Sequence, residues 1–199
     1  MSPVLDARER LLRGLAAEIG DPRVLEAMGA VPRPLFVPLE LREFAWLDQP
    51  LPLDEGQTIS QPLVVASMCE LLRLGPADRV LDVGTGSGYH AAVLSRLAGR
   101  VWSIERHRSL SEQAAENLRA AGISNVELIV GDGWAGHLAA APYDAINVAA
   151  ASRAGVPPAL EDQLADGGRL IIPVEGGEGE GGEGGEGGGV GGAAGAGVG

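Results

Sequence analysis

The segment RVLDVGTGSGY, residues 79–89, joins an apolar run to a glycine-rich turn and to the first residue of a helical pattern. Residues 79–83 are mostly aliphatic, which is typical of a strand covered on both faces. Glycine then occupies every second position of the turn, and glycine lets the backbone approach a ligand closely. Open α/β sheets bind their ligands at turns of this kind, beyond the carboxyl ends of the strands. The segment therefore predicts an α/β fold with a ligand site at the turn.

The surrounding sequence, residues 62–174, alternates between helical and strand patterns. Amphipathic stretches predict helices at residues 62–74, 89–98, 110–121 and 157–164. Short apolar runs predict strands at residues 79–83, 101–104, 126–130, 143–148 and 169–174, with Asp166-Gly167-Gly168 as a turn. This alternation predicts a Rossmann-like, doubly wound, mostly parallel sheet with helices on both faces.

Two segments of different character flank this region. Residues 1–61 predict a helix over residues 5–19, a second helix with Asp21 as its cap and Pro22 in its first turn, and turns instead of α-helix in VPRPLFVP, residues 31–38. Residues 175–199 are almost entirely Gly, Glu and Ala, and they lack the apolar bulk that would offset chain entropy, so we expect disorder. We therefore divide the chain into residues 1–61, 62–174 and 175–199, and expect the sheet to end with the strand at residues 169–174.

Composition restricts the classes of function. The formal net charge of −12 argues against nucleic-acid binding, which requires a basic face. The 15 basic residues are all arginine, so Schiff-base chemistry and a phosphate-binding P-loop are excluded. A charged N-terminus, the lack of a long apolar run and the single cysteine, Cys69, predict a cytoplasmic protein without a membrane span or an internal disulfide.

The glycine turn does not have the spacing of a dinucleotide-binding turn. Gly84, Gly86 and Gly88 give G-x-G-x-G, whereas the dinucleotide pattern is G-x-G-x-x-G and would need a glycine where Tyr89 stands. A tight turn that needs glycine only for steric reasons is the alternative. The strand–turn–helix context favours a bound ligand.

Acidic residues follow the next two predicted strands. Glu105 ends the strand at residues 101–104 and is placed to accept hydrogen bonds from both hydroxyls of a ribose. Asp132 follows the strand at residues 126–130, where its carboxylate or the neighbouring N–H of Gly133 would meet the edge of an adenine. Gly-Asp-Gly also occurs in ordinary turns, so Asp132 is the weaker of the two signals. Together these features indicate an adenosyl ligand without a phosphate-binding lysine.

The chain resembles the class I S-adenosylmethionine-dependent methyltransferases in VLDVGTGSGYHAAVL, VWSIER, NVELIVGDGW, APYDAINVAA and LADGGRLIIPV. With VPRPLFVP and PLPLDEGQTISQP, it resembles the protein-L-isoaspartate O-methyltransferase family from about residue 11 to residue 174. GQTISQP, residues 56–62, is the most specific of these stretches. One departure is Asn147, where the family carries an apolar residue, and a buried amide there needs a hydrogen-bond partner.

The resemblance implies a cofactor, a substrate and the residues that bind them. The substrate is the side-chain carboxylate of an isoaspartyl residue in a damaged protein or peptide, and the reaction is a repair methylation. Ser60 is the principal active-site hydroxyl, with Thr58 beside it. We expect a monomer and no metal ion, nucleic acid or membrane as a partner. The cofactor is S-adenosyl-L-methionine, and the residues implied to bind it are Asp82, Gly84, Thr85, Gly86, Ser87, Gly88, Glu105, Asp132 and Gly133.

Such a reaction explains a loop of hydroxyls and amides with no base among them. A carboxylate with a pKa of about 4 is already ionised at neutral pH, so it needs orientation rather than deprotonation. Gln57, Thr58 and Ser60 supply donors that hold it without a tight ion pair. Two alternatives remain open: a relative acting on another peptide carboxylate, and a domain that binds S-adenosylmethionine or a partner without turnover.

Overall fold

A computed structural model describes residues 3–149 and 155–173, with side chains from residue 7 onward. The N-terminal segment contains α1 (Pro3–Leu15) and α2 (Pro22–Ala30), and α3 (Pro62–Leu72) follows it. The side chain of Asp21 accepts a hydrogen bond from the N–H of Arg23 at 2.9 Å, which confirms the predicted cap of α2. The first helix is predicted over residues 5–19, and α1 instead spans Pro3–Leu15.

Two short elements in the N-terminal part do not follow from the sequence patterns. VPRPLFVP contains no α-helix, as predicted, but Arg33–Phe36 forms a single 3₁₀ turn. The loop of hydroxyls and amides is the end of a small hairpin, in which β1 (Leu51–Pro52) pairs antiparallel with β2 (Thr58–Ile59). Both elements are too short to show a periodicity, and both lie against the candidate site described below.

The main sheet has five parallel strands: β3 (Arg79–Val83), β4 (Arg100–Glu105), β5 (Val126–Val130), β6 (Tyr143–Val148) and β7 (Leu164–Ile171). Their order is β5-β4-β3-β6-β7, so the chain runs outward from β3 to β5 and then returns to the other side of β3. The order therefore reverses between β3 and β6, and ligands bind at the carboxyl ends of the strands at such a reversal.

Helices cover both faces of this sheet, as the alternating pattern predicts. The connections are α4 (Tyr89–Leu97), α5 (Arg108–Ala120) and α6 (Pro158–Glu161). Neighbouring side chains of one strand belong to two separate cores: Val80 packs with the N-terminal helices and α4, and Leu81 packs with Leu160 of α6. The strand alternation thus fixes one apolar core on each side of the sheet.

The last described strand corrects one prediction. The expected turn Asp166-Gly167-Gly168 lies inside β7, which begins at Leu164 rather than at residue 169. Tyr143 of β6 pairs with Leu164, and Ala145, two residues further along β6, pairs with Arg169. The β7 residues between Leu164 and Arg169 therefore form a bulge. Gly167 has a φ of 73°, a conformation that favours glycine. The disorder predicted for residues 175–199 lies outside the described residues.

Candidate active site

A cavity opens at the carboxyl ends of β3 and β4, beside the point where the strand order reverses. Its empty volume is about 620 Å³, counting the part that is open to solvent. The hairpin and the residues after it, the glycine turn with the start of α4, the end of β4, α3 and the residue after β6 all contribute to its lining. The lining residues are Gln57, Thr58, Ile59, Ser60, Val65, Gly84, Thr85, Gly86, Ser87, Tyr89, His90, Glu105 and Ala149.

The glycines of the turn have different tasks. Gly84, Gly86 and Gly88 have φ values of 97°, 52° and 88°, all in the region that favours glycine. Gly84 and Gly86 line the cavity, whereas Gly88 is not among its lining residues. A side chain at Gly88 would lie 3.2 Å from the Cβ of Ala114, so this glycine lets α4 pack closely against α5.

Glu105 is the acidic group of the cavity, and the backbone holds its carboxylate in place. One oxygen accepts a hydrogen bond from the N–H of Gly86 at 2.9 Å, and the other accepts one from the N–H of His107 at 3.0 Å. The side chain is buried. Each carboxylate oxygen keeps a free lone pair after these bonds, so the group can still accept from two hydroxyls of a ligand.

The loop of hydroxyls and the glycine turn are two separate parts of the wall of this cavity. Ser60 is half-buried and Thr58 is exposed, and both line the cavity. Asp48 fixes the far end of the loop, because its carboxylate accepts hydrogen bonds from the side chain of Gln61 at 3.0 Å and from the N–H of Leu63 at 2.8 Å. The two hydroxyls are therefore carried by a loop that is anchored on both sides, by the hairpin and by Asp48.

Asp82 lies behind the cavity wall rather than in it. It is fully buried at the end of β3, and its carboxylate accepts hydrogen bonds from Ser103 at 2.7 Å and from Asn147 at 2.7 Å. Ser103 in turn bonds to the hydroxyl of Thr85 at 2.6 Å, and Thr85 lines the cavity. Burial raises the pKa of Asp82 to about 6, although the hydrogen bonds from Ser103 and Asn147 oppose that shift.

The buried amide of Asn147 has hydrogen-bond partners for its nitrogen but not for its oxygen among the described residues. Its amide nitrogen donates to Asp82 and lies 3.3 Å from Nδ1 of His90, so that ring nitrogen is the acceptor. Its oxygen has no hydrogen-bond partner among the described residues. Nε2 of His90 then carries the proton and faces Sγ of Cys69 at 3.6 Å. Burial lowers the pKa of His90 to about 4 and raises that of Cys69.

Asp132 and Gly133 lie at the neighbouring strand end and are not among the residues that line this cavity. The side chain of Asp132 accepts a hydrogen bond from the N–H of Trp134 at 3.0 Å and caps a short 3₁₀ turn. Gly133 packs directly on β3, since a side chain there would come within 2.4 Å of Val83. The structure thus shows a turn and a close packing contact at these two residues.

Of the residues singled out in the sequence, the structure brings eight to the cavity: Gln57, Thr58, Ser60, Gly84, Thr85, Gly86, Ser87 and Glu105. It places Asp82 behind the wall and Gly88, Asp132 and Gly133 in packing or turn positions. Sequence reasoning missed Ile59, Val65, Tyr89, His90 and Ala149, which also line the cavity. Tyr89 and His90 directly follow the glycine turn in the first turn of α4, and that position was a usable signal.

Neither a metal site nor a membrane span is evident within residues 3–149 and 155–173. These residues contain no group of three or more His, Cys, Asp or Glu side chains that could hold a metal ion. None of their helices is long and apolar enough to cross a membrane.

The parallel sheet order, the glycine turn after β3 and the buried acid at the end of β4 define a class I S-adenosylmethionine-dependent methyltransferase. A family model described as protein-L-isoaspartate(D-aspartate) O-methyltransferase (PCMT) matches residues 7–181. The protein-L-isoaspartate O-methyltransferase of Methanoculleus marisnigri is 54% identical over 159 residues, which are 80% of this chain and 72% of that protein. The chain belongs to the protein-L-isoaspartate O-methyltransferase family.

Solved structures agree with this assignment. One protein-L-isoaspartate O-methyltransferase matches with a TM-score of 0.75 and 34% identity, over 84% of this chain and 55% of that chain. This chain therefore spans about half the length of that solved relative. A Plasmodium falciparum structure described by the same activity, in complex with S-adenosyl-L-homocysteine, matches with a TM-score of 0.74 and 28% identity, over 84% of each chain.

Proposed function

We propose that this chain transfers a methyl group from S-adenosyl-L-methionine to the carboxylate of isoaspartyl residues in damaged proteins and peptides. The observation that carries the proposal is one cavity with two walls of different chemistry. One wall holds Glu105 bonded to Gly86, and the other holds the hydroxyls of Thr58 and Ser60. A nucleoside binds to the first kind of wall and a carboxylate to the second.

The residues present fit S-adenosylmethionine. Glu105 has acceptor capacity left for two ribose hydroxyls, and the turn at Gly84 and Gly86 has no side chain to obstruct a ligand. The sequence has no lysine for a phosphate, and a sulfonium nucleoside needs none. When bound, S-adenosylmethionine supplies a methyl group on a positively charged sulfur and leaves as a neutral thioether. Thr85 and Ser87 line the same wall and complete the proposed cofactor set in the cavity.

The remaining cofactor assignments rest on position in the sheet. Asp82 favours the ammonium group of the cofactor's methionine part, and it reaches the cavity through the hydroxyls of Ser103 and Thr85. Gly88 supports it indirectly, by letting α4 approach α5. Asp132 and Gly133 stand at the end of β5, beside β4, where the base of an adenosyl ligand would extend from Glu105. These assignments are proposals for residues outside the lining of the cavity.

The substrate wall works by orientation. The carboxylate is ionised at neutral pH, so Ser60 and Thr58 donate hydrogen bonds to it and no proton has to be removed. Good orientation contributes about 7–11 kcal/mol to such a reaction. Among residues 3–149 and 155–173, no lysine or arginine lines the cavity, so no cation described there forms an ion pair that would lower the reactivity of the bound carboxylate. Ser60 is the residue to which we assign the larger share, because it is the less exposed of the two.

Three further proposals concern the setting of the reaction. We expect the chain to act as a monomer on isoaspartyl proteins and peptides, without a nucleic-acid or membrane partner. Its acidity supports this view, because the net charge of −12 repels polyanions. A cytoplasmic location is supported by the only cysteine, which is buried in α3 as a free thiol.

The test is methyl transfer from S-adenosylmethionine with a labelled methyl group to a pair of peptides. The two peptides have the same sequence and differ only in carrying an isoaspartyl or an aspartyl residue. We expect base-labile methyl ester on the isoaspartyl peptide and background label on the aspartyl one. Equal label on both would favour a relative with another carboxylate substrate. Calorimetric binding of S-adenosylmethionine without label on either would favour a binding domain without turnover.

A further inference from the structure

The motif VPRPLFVP contributes a residue that the proposed function does not yet use. Arg33 lies in the 3₁₀ turn Arg33–Phe36, and its side chain is fully buried. It is the largest side chain among the described residues with essentially no exposure to solvent. Arginine is rarely buried to this degree unless it is paired, so the position requires an explanation.

The contacts of Arg33 lead to the cavity. Its Nη2 donates a hydrogen bond to the carbonyl oxygen of Ser60 at 3.0 Å. The centre of its guanidinium stands 4.5 Å from the centroid of the Tyr89 ring, which is a cation–π contact. Ser60 and Tyr89 both line the cavity, one on the substrate loop and one at the start of α4. Arg33, which does not itself line the cavity, therefore connects the substrate loop to the start of α4.

Folding alone does not explain this arginine. Its Nε and Nη1 atoms are buried and have no hydrogen-bond partner among the described residues, and no ion pair found among those residues includes it. Burial lowers the pKa of Arg33, with opposing effects from Tyr89 and Asp48, and the guanidinium remains charged at neutral pH. An unpaired buried charge costs desolvation free energy, and an apolar side chain of similar volume would not carry that cost.

We propose that Arg33 is a positioning residue for the methyl transfer, which holds the backbone of Ser60 against Tyr89 so that the serine hydroxyl meets the acceptor carboxylate. The proposal rests on the proposed function for its effect on turnover. The effect of Arg33 on the order of the substrate loop, residues 57–61, does not depend on that function. The hydrogen bond to the Ser60 carbonyl is the contact that transmits the effect.

The central variant is Arg33→Met, which keeps an unbranched side chain and removes the charge and the donors. We expect a melting temperature equal to or above that of the unchanged chain. The affinity for S-adenosylmethionine should stay within about twofold, because Glu105 and the glycine turn are untouched, while kcat on the isoaspartyl peptide falls about tenfold or more. Arg33→Lys should recover only part of kcat, since a lysine keeps the charge but not the planar fork.

Arg79→Met is the matched control. Arg79 also stacks on an aromatic ring, 4.7 Å from the centroid of Trp102, and donates to the backbone carbonyls of Ala140 and Pro142. It lies at the opposite end of β3 from the cavity. We expect this variant to change the melting temperature and to leave kcat within about twofold of the unchanged chain.

Hydrogen exchange separates the failure of this inference from the failure of the proposed function. In Arg33→Met, the amides of residues 57–61 should exchange about tenfold faster, with no change in α5. Unchanged exchange, unchanged kcat, or a parallel loss of kcat and melting temperature would overturn the role of Arg33. If the unchanged chain fails to methylate the isoaspartyl peptide, the proposed function falls, and the exchange result still decides whether Arg33 orders the loop.

Discussion

The carboxylate of Glu105 accepts a hydrogen bond from the backbone N–H of Gly86 at 2.9 Å. This bond joins the end of β4 to the glycine turn after β3, so two parallel strands fix one acidic group at the mouth of the cavity. A carboxylate fixed in this way needs no reorganisation to receive the hydroxyls of a ribose. The bond also requires an acceptor at residue 105 that can receive from Gly86 and His107 at once.

Glu105→Gln should weaken the binding of S-adenosylmethionine. A glutamine has only one acceptor oxygen. Its amide NH₂ group would therefore point at the backbone N–H of either Gly86 or His107, and two donors cannot form a hydrogen bond. Hydrogen bonds to charged groups contribute about 1.5–3 kcal/mol each, which corresponds to a loss of affinity of roughly tenfold to a hundredfold. Isothermal titration calorimetry of the two proteins measures the difference.

Glu127→Gln serves as the control for this substitution, because Glu127 of β5 forms an exposed ion pair with Arg100 of β4 and does not line the cavity. It should bind S-adenosylmethionine like the unchanged chain. Equal affinity in Glu105→Gln and Glu127→Gln would remove Glu105 from the cofactor site.

Ser60→Ala should separate catalysis from cofactor binding. The substitution removes a donor to the acceptor carboxylate, and we expect kcat/KM for an isoaspartyl peptide to fall about tenfold or more with S-adenosylmethionine affinity unchanged. Ser95→Ala is the comparison, because the hydroxyl of Ser95 donates to the carbonyl of Ala92 inside α4, away from the cavity. Full activity in Ser60→Ala would show that another group orients the carboxylate.

The pH dependence of the free energy of unfolding should reveal the lowered pKa of His90. Burial lowers its pKa from 6.5 to about 4, so between these values the unfolded chain binds the proton that the folded chain excludes. Its contribution to the free energy of unfolding therefore rises with pH across that window and is lost as pH falls. Asp82, with its pKa raised from 3.8 to about 6, contributes the opposite slope, because the folded chain keeps the proton longer.

His90→Gln removes the first slope and leaves the second. The stability advantage of the unchanged chain over His90→Gln should grow by about 2 kcal/mol between pH 5 and pH 7, as measured by urea unfolding at several pH values. A constant difference across this range would mean that His90 titrates normally in the folded chain.

Two glycine substitutions should change stability in opposite directions. Gly133→Ala places a methyl group within 2.4 Å of Val83, and such overpacking costs about 1–3 kcal/mol. Gly14→Ala lies in α1 with nothing within 4 Å of the added carbon, and it should stabilise the chain by about 0.5–1 kcal/mol. Thermal unfolding of both variants tests the pair, and a Gly133→Ala protein as stable as Gly14→Ala would contradict the packing of Gly133 on β3.

Most of the sheet could be predicted because its strands and helices are long enough to show a period. The strands at Arg79–Val83, Val126–Val130 and Tyr143–Val148 begin and end where the apolar runs do. The bulge in β7 could not be predicted, because Asp-Gly-Gly has the composition of a turn and only the pairing of Leu164 and Arg169 with β6, on either side of it, places it within the strand. The hairpin of β1 and β2 has two residues in each strand, which is too short for any pattern.

The cavity was predictable where its residues belong to a motif and unpredictable where the fold brings distant residues together. Ser60, Gly86 and Glu105 stood out in the sequence, and the structure gathers them in one cavity. Arg33 did not, since its role depends on contacts with Ser60 and Tyr89, which lie far along the chain. Asp82 stood out as well, but its burial behind Thr85 is a property of packing that no spacing reveals.

A crystal structure of the chain with S-adenosyl-L-homocysteine would show whether Glu105 and Ser60 serve one cofactor site. We expect the ribose hydroxyls to lie within hydrogen-bond distance of Glu105 and the sulfur atom to face the hydroxyl of Ser60 across the cavity. A ligand bound elsewhere, or bound with its sulfur turned away from Ser60, would show that these two residues do not serve one cofactor site.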